Sequence, residues 1–251
     1  MYSFKICLAN KRIQISCYYK HVVSLCKDYY AFFNKPDFLV ESDIDFMQEA
    51  ISSCSEKWFF DALIKKGIAV EHVSLESFFI YRKIAEKMLD YNIILLHGAA
   101  IAIKNRSYVF MAPSGTGKTT HVLNWKKIIP ETVVINGDKP LVDVDQKLIF
   151  GTPWCGKEGF NTNSSATIAG LISLERGLVN HISPTTFHEI LPALIQQTYI
   201  PKDADSAIKV YHLLGELNHI PCYKLTCNMD VDAALVAYEG IKRHEKSLYV
   251  Q

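Results

Sequence analysis

Ala112-Pro113-Ser114-Gly115-Thr116-Gly117-Lys118-Thr119 is the segment whose residue types and spacing most clearly specify chemistry. It fits a Walker A phosphate loop with Ala where the first Gly usually stands. Gly115 and Gly117 let the backbone curl so that successive N–H groups point inward at phosphate oxygens. An apolar run, Tyr108 to Met111, precedes the loop, and a helix over about Lys118 to Ile128 follows it. The positive end of that helix adds to the field at the same place. Lys118 would reach the β- and γ-phosphates, and the Thr119 hydroxyl would ligate Mg²⁺. Ser114, Gly115, Thr116, Gly117, Lys118, Thr119 and Thr120 are therefore the candidate nucleotide contacts.

Two further segments bear on the same chemistry. Val133-Val134-Ile135-Asn136-Gly137-Asp138 reads as an apolar strand ending in a carboxylate. Such a strand beside the loop's own strand would put Asp138 next to the metal, to bind it or to take a proton from an attacking hydroxyl. The plainer alternative is a turn aspartate ahead of Lys139-Pro140. Gly151-Thr152-Pro153-Trp154-Cys155-Gly156-Lys157-Glu158-Gly159 then places a Trp, a Lys and a Glu between glycine turns. A cationic Lys157 suits the third face of a transferring phosphoryl group, and Trp154 would line an acceptor pocket. A surface loop anchored by its Trp fits the composition equally well. His97, at the end of an apolar strand, reads on its own as a core histidine more readily than as a ligand.

The elements needed to position these residues are legible in the remaining pattern. Ile93 to Leu96, Ala99 to Ile103, Leu141 to Val144, Leu148 to Phe150, Ile168 to Leu174 and Tyr223 to Cys227 are strand candidates. Thr185 to Gln197, Ser206 to Leu217 and Val231 to Lys242 look helical, which together predicts an α/β core over 91–251. The first ninety residues read as a smaller α+β region. It has strands at Phe4 to Leu8, Arg12 to Tyr18 and Asp37 to Glu41, and helices over Val22 to Phe33, from Asp43 and from near Ser74.

Composition excludes several classes. With 251 residues, 49% of them hydrophobic, disorder is not the main state. Lys+Arg 27 against Asp+Glu 26 gives a net charge of +1, so no global field favours nucleic acid or an anionic membrane. The most apolar stretch, Ile93 to Ile103, falls short of the roughly 20 residues that cross a bilayer. Met1 to Ser16 alternates polar and apolar residues, unlike a secretory leader. Seven cysteines without a C-x-x-C pair read as reduced, buried thiols, which predicts a cytoplasmic protein.

With His97-Gly98-Ala99-Ala100, then Pro113 to Thr120, then Asn136-Gly137-Asp138-Lys139-Pro140 in that order, the chain resembles HPr-serine-kinase-type proteins. Their superfamily includes ATP-dependent phosphoenolpyruvate carboxykinase. The similarity is greatest to the HPr-kinase-like proteins of bacterial peptide-modification systems, whose Gly-Thr-Pro-Trp-x-Gly-Lys loop resembles Gly151 to Lys157. It is specific from about Leu96 to Gly159 and faint over residues 1–90. The resemblance implies a mixed β-sheet P-loop core with flanking helices, and ATP and Mg²⁺ as cofactors. It further implies γ-phosphate transfer to a Ser or Thr hydroxyl of a small protein or precursor peptide. It moves His97 into the active site, gives Asp138 base or metal duty, and puts Lys157 near the transferred phosphate. A homo-oligomer is implied in the same way. Relatives often carry two adjacent acids where this chain has Gly137-Asp138, so Glu158 or Asp143 would supply the second function, or Asp138 would serve both. The competing readings are a small-metabolite kinase or phosphorylase of that superfamily, and an ATP-binding regulator without turnover.

Overall fold

The computed structural model describes residues 1–43 and 72–248. The chain divides into two compact units, Met1–Lys87 and Met88–Gln251.

In the first unit, β1 (Tyr2–Leu8) and β2 (Lys11–Cys17) form an antiparallel hairpin. Its two-residue turn is made by Ala9 and Asn10 at φ 48° and 60°, a left-handed pair whose twist matches that of the flanking strands. β3 (Phe38–Glu41) lies parallel to β2. Ile6, Leu8, Ile13, Ile15 and Val40 are buried, as alternation along a one-sided sheet requires. The helix expected over Val22 to Phe33 is shorter: α1 (Lys20–Leu25) gives way to a 3₁₀ turn at Lys27–Tyr29. The α1 N-cap, Tyr19, makes no side-chain capping hydrogen bond, and only Val22 is buried along the helix, so little holds a longer one. α2 (His72–Met88) buries Ile80, Ile84 and Met88 at four-residue spacing. Its fully buried Glu76 accepts hydrogen bonds from the Tyr18 and Tyr19 amides at 2.7 and 2.9 Å. The helix expected from Asp43, and Cys54, lie outside the described residues.

The second unit is a mixed open sheet with helices on both faces. Its strands are β4 (Ile93–Leu95), β5 (Ala99–Ile103), β6 (Arg106–Met111), β7 (Thr132–Asn136), β8 (Leu141–Asp143), β9 (Leu148–Phe150), β10 (Ser165–Arg176), β11 (His181–Thr185) and β12 (Cys222–Cys227). The order is β4-β8-β9-β10-β6-β5-β7, and β12 pairs with β10 and β11. β10 is longer than the sequence pattern suggested. Its start pairs antiparallel with β9, its end parallel with β12, and its other edge carries β6 in parallel. Strand β11 was not anticipated: the segment before Thr186 pairs antiparallel with β12, and the helix starts only after it.

Period-two alternation sorts the side chains onto the two faces. Ala100, Ala102, Val109 and Met111 join one core with α4 (Phe187–Gln196) and α5 (Ala204–Gly215), through Ile190, Leu194, Val210 and Leu214. Ala99, Ile101, Tyr108 and Phe110 join the other core with α3 (Lys118–Ile128) and α6 (Asp232–Leu248), through Val122, Trp125, Ala237 and Ile241. Among the described residues no helix is long and apolar enough to cross a membrane. Cys7, Cys17, Cys26, Cys155, Cys222 and Cys227 are free thiols.

Candidate active site

Strand direction brings the chemistry-bearing residues together. β5 runs antiparallel to both β6 and β7, so β6 and β7 point the same way and β5 begins where they end. The Walker-like loop follows β6, Gly137-Asp138 follows β7, and His97-Gly98 precedes β5. This corrects the expectation that β7 adjoins β6: β5 lies between them. The intervening strand is what delivers His97. Its Nε2 lies 3.0 Å from Asp138 Oδ1, and the Gly98 amide donates to the Asp138 carbonyl at 2.8 Å. Gly98 is needed there, because a Cβ would stand 3.0 Å from the Phe110 carbonyl oxygen.

Asp138 is held from several directions. The buried Asn136 side chain accepts from the amides of Asp138 and Lys139 at 2.8 and 2.6 Å, which fixes the turn. The Lys139 ammonium lies 2.8 Å from Asp138 Oδ2. Burial alone would raise this carboxyl's pKa. The His97 hydrogen bond and the Lys139 charge outweigh it and hold the pKa well below the usual carboxylate range.

The loop itself has the backbone its glycines foretold. Gly115 and Gly117 sit at φ 80° and 117°, and Gly117 is the N-cap of α3. Lys118 is buried, and its ammonium donates to the carbonyls of Ala112 at 2.7 Å and Pro113 at 3.4 Å. Burial lowers its pKa, against the pull of Asp138. Thr119 and Thr120 are part-buried on the first helical turn. Ser114 is exposed, and the Thr116 hydroxyl donates to the Pro113 carbonyl at 2.8 Å.

The third segment, 151–159, folds against Asp138. Thr152 Oγ1 donates to the Lys139 carbonyl at 2.8 Å, and Asn136 Nδ2 donates to the Thr152 carbonyl at 3.0 Å. A Cβ on Gly156 would lie 3.4 Å from Asp138 Cβ and 3.5 Å from Glu158 Oε2, so both acidic side chains border the space beside this glycine. The buried Cys155 thiol feels both: burial, then Asp138 and Glu158, push its pKa up, which leaves it protonated and no nucleophile. Lys157 is exposed on this turn. Trp154 is buried, so it anchors the loop instead of lining an open pocket. Asp143 is away from the cluster. It pairs with Ile93 at the end of β4 remote from His97, and its carboxylate accepts from the Gln146 amide at 2.9 Å in the β8–β9 turn.

Sequence reasoning missed three contributors. Arg176, at the end of β10, donates from Nε to the Thr116 carbonyl at 3.0 Å and from Nη2 to the Gly115 carbonyl at 2.6 Å. Its guanidinium borders a cavity of ≈ 370 Å³ against loop residues 113–116. Met229 places its sulfur 3.2 Å from where a Gly117 Cβ would be, in a loop whose Met229 and Asp230 carbonyls accept from Asn124 Nδ2. Gln197, the C-cap of α4, is buried beside the loop and His97. None of the three has a signal in the local sequence, because each acts across the sheet. Neither a family model nor a curated protein matches this chain.

Proposed function

We propose that this chain is an ATP-dependent phosphotransferase of the HPr-kinase-like type, moving the γ-phosphate to a Ser or Thr hydroxyl of a small protein or precursor peptide. The observation that carries the reading is the convergence of the glycine-turned loop, Lys118 and the His97–Asp138 pair at one end of three adjacent strands. A chance glycine turn before a helix gives no reason for a second strand to deliver an ionised carboxylate to the same place.

In this reading the loop amides and the start of α3 hold the phosphates, and Lys118 exchanges its carbonyl partners for the β/γ oxygens. Thr119 and Asp138 are hard oxygen donors, the kind Mg²⁺ takes alongside phosphate oxygens. The metal, when bound, neutralises charge on those oxygens. The small carboxylate count fits, since Mg²⁺ uses one or two carboxylates and keeps several waters.

Asp138 binds protons too weakly to serve well as a general base near neutrality, and its charge is its contribution. Glu158, whose carboxylate shares with Asp138 the side of Gly156 that a Cβ would occupy, is the second carboxylate and orients the acceptor hydroxyl. The hydroxyl oxygen bonds to the γ-phosphorus as the bond to the β–γ bridging oxygen breaks, and the proton leaves through Glu158. His97 steadies Asp138, and Lys157 offers charge to the phosphoryl group in flight.

The test is transfer from γ-labelled ATP to a panel of Ser/Thr peptides, proteins and small alcohols, read by mass spectrometry. Labelled peptide or protein supports the reading. Labelled metabolites alone would move the assignment to a small-molecule kinase. Nucleotide binding without labelling of any acceptor would favour the regulator, for which the single acid at the end of β7 is the argument.

A further inference from the structure

Lys118 rests on two carbonyls, and each has another donor. Pro113 O, 3.4 Å from the ammonium, also accepts from the Thr116 hydroxyl at 2.8 Å and the Thr116 amide at 3.3 Å. Ala112 O, 2.7 Å from the ammonium, faces the Gln197 amide. Oriented so that its nitrogen meets acceptors, that amide donates to Ala112 O and to His97 O, both at 3.1 Å. The Gln197 main-chain carbonyl in turn accepts from the His97 amide at 2.6 Å. One buried residue thus grips His97 on both sides of its backbone and the first carbonyl of the phosphate loop.

We infer that Gln197 is a positioning residue that keeps Ala112 O hydrogen-bonded when Lys118 leaves it for a bound phosphate, and that fixes His97 against the loop in the same contact. This deepens the phosphotransferase reading and rests on it. The physical reason is the cost of an orphaned buried acceptor. If Lys118 were the sole donor to Ala112 O, each phosphate it took up would strand a carbonyl, and that cost would be subtracted from nucleotide affinity. With Gln197 in place, the lysine exchanges one set of oxygen partners for another and strands nothing. Glutamine suits the task because one NH₂ carries two hydrogens, one for each carbonyl. A carboxylate would repel both carbonyls, and an apolar side chain would serve neither.

The experiment is a double-mutant cycle on Mg-ATP affinity, measured by calorimetry on the full chain. Gln197→Met keeps volume and removes the donors. Alone it is expected to weaken binding about tenfold, the scale of one unsatisfied buried acceptor. In a Lys118→Met background it should leave affinity unchanged, because no lysine is there to leave. Equal losses in both backgrounds, or no loss in either, would overturn the inference. Should Gln197→Met fail to fold, Gln197→Glu gives a second reading. Relative to wild type its affinity should recover as acidification protonates the new carboxyl into a donor, and a flat ratio across pH rejects the role. Failure of the wild-type chain to bind Mg-ATP at all would instead remove the phosphotransferase reading itself. A wild type that binds while the cycle is additive removes only Gln197.

Discussion

His97 Nε2 meets Asp138 Oδ1 at 3.0 Å although 40 residues of loop, helix and strand separate them in sequence. The contact exists because β5 starts at the sheet end where β7 stops. A nitrogen donating here orients the carboxylate and stabilises its charge. His97→Gln keeps a donor of similar reach, whereas His97→Ala keeps none. Turnover is expected to fall at least tenfold more in the Ala variant than in the Gln variant, with Mg-ATP affinity changed less than threefold in both. Equal losses in kcat would mean that the imidazole acts on the phosphoryl group directly.

Asp138→Asn removes the charge while keeping the shape and the hydrogen bond from His97. Phosphate transfer should drop by at least about a hundredfold. The linkage runs in a definite direction. A carboxyl whose folded pKa lies below its unfolded value contributes stability that is present above the unfolded pKa, near 4, and is lost as pH falls through the folded pKa. Urea unfolding should therefore show wild-type stability declining more steeply below pH 4 than that of Asp138→Asn. Parallel acid limbs would mean that the Lys139 and His97 contacts do not stabilise the charged form.

Glu158 and Asp143 were the sequence's candidates for a second acid, beside the option that Asp138 serves both functions, and their surroundings separate them. Glu158 shares Gly156 with Asp138, whereas Asp143 holds a hairpin turn. Glu158→Gln should lower kcat about a hundredfold and leave KM for ATP within a factor of three. Asp143→Asn should leave both constants near wild type and cost only about 1 kcal/mol of stability, the size of a lost turn hydrogen bond. The reverse ranking would displace Glu158 from the mechanism.

Arg176 binds two successive carbonyls of the Walker-like loop, at Gly115 and Thr116. In a trans peptide the carbonyl and the following N–H point opposite ways, so holding the Thr116 carbonyl toward Arg176 turns the Gly117 N–H away from it. Arg176→Ala should weaken Mg-ATP binding about five- to tenfold while shifting unfolding stability by less than about 1 kcal/mol, because the side chain is exposed. Arg176→Lys should restore only part of the affinity, since one ammonium cannot reproduce the planar two-carbonyl grip. Unchanged affinity in Arg176→Ala would reduce the contact to a surface ornament of the loop.

What was legible in the sequence was local. The loop from Ala112 to Thr119 announces itself because glycine spacing and a following helix are near-neighbour features. The strand before it showed as an apolar run, and the helix Lys118–Ile128 as the segment following the loop. Strand order was not legible: nothing in Thr132–Asn136 says that β5 intervenes between it and β6. For the same reason Arg176 and Gln197 were invisible, one 60 residues from its loop partner Thr116 and the other reaching Ala112 from a helix cap. Trp154 stayed open between two readings because a large aromatic in a glycine-flanked loop reads the same whether it faces a ligand or the interior. Burial, which depends on the whole sheet, decides between them.

His121, one turn into α3, gives a prediction on stability that is independent of catalysis. Its Nε2 accepts from the Trp125 indole at 2.8 Å, so the proton sits on Nδ1, which has no hydrogen-bond partner among the described residues. The ring packs edge-on against Phe110, and burial pushes its pKa down to about 4. An ordinary histidine in the unfolded chain takes a proton near pH 6.5, so between pH 6.5 and 4 the unfolded state binds more protons than the folded one. Stability must then fall with acidification across that window, by at most about 3 kcal/mol for a shift of this size. His121→Gln supplies a carbonyl oxygen for the indole and does not titrate. Its unfolding free energy, measured in urea from pH 7 to 4, should decline less than that of the wild type, the difference being the histidine's own contribution. Identical slopes in the two proteins would show that His121 takes up a proton as easily folded as unfolded, and that the ring is not sealed between β6 and α3.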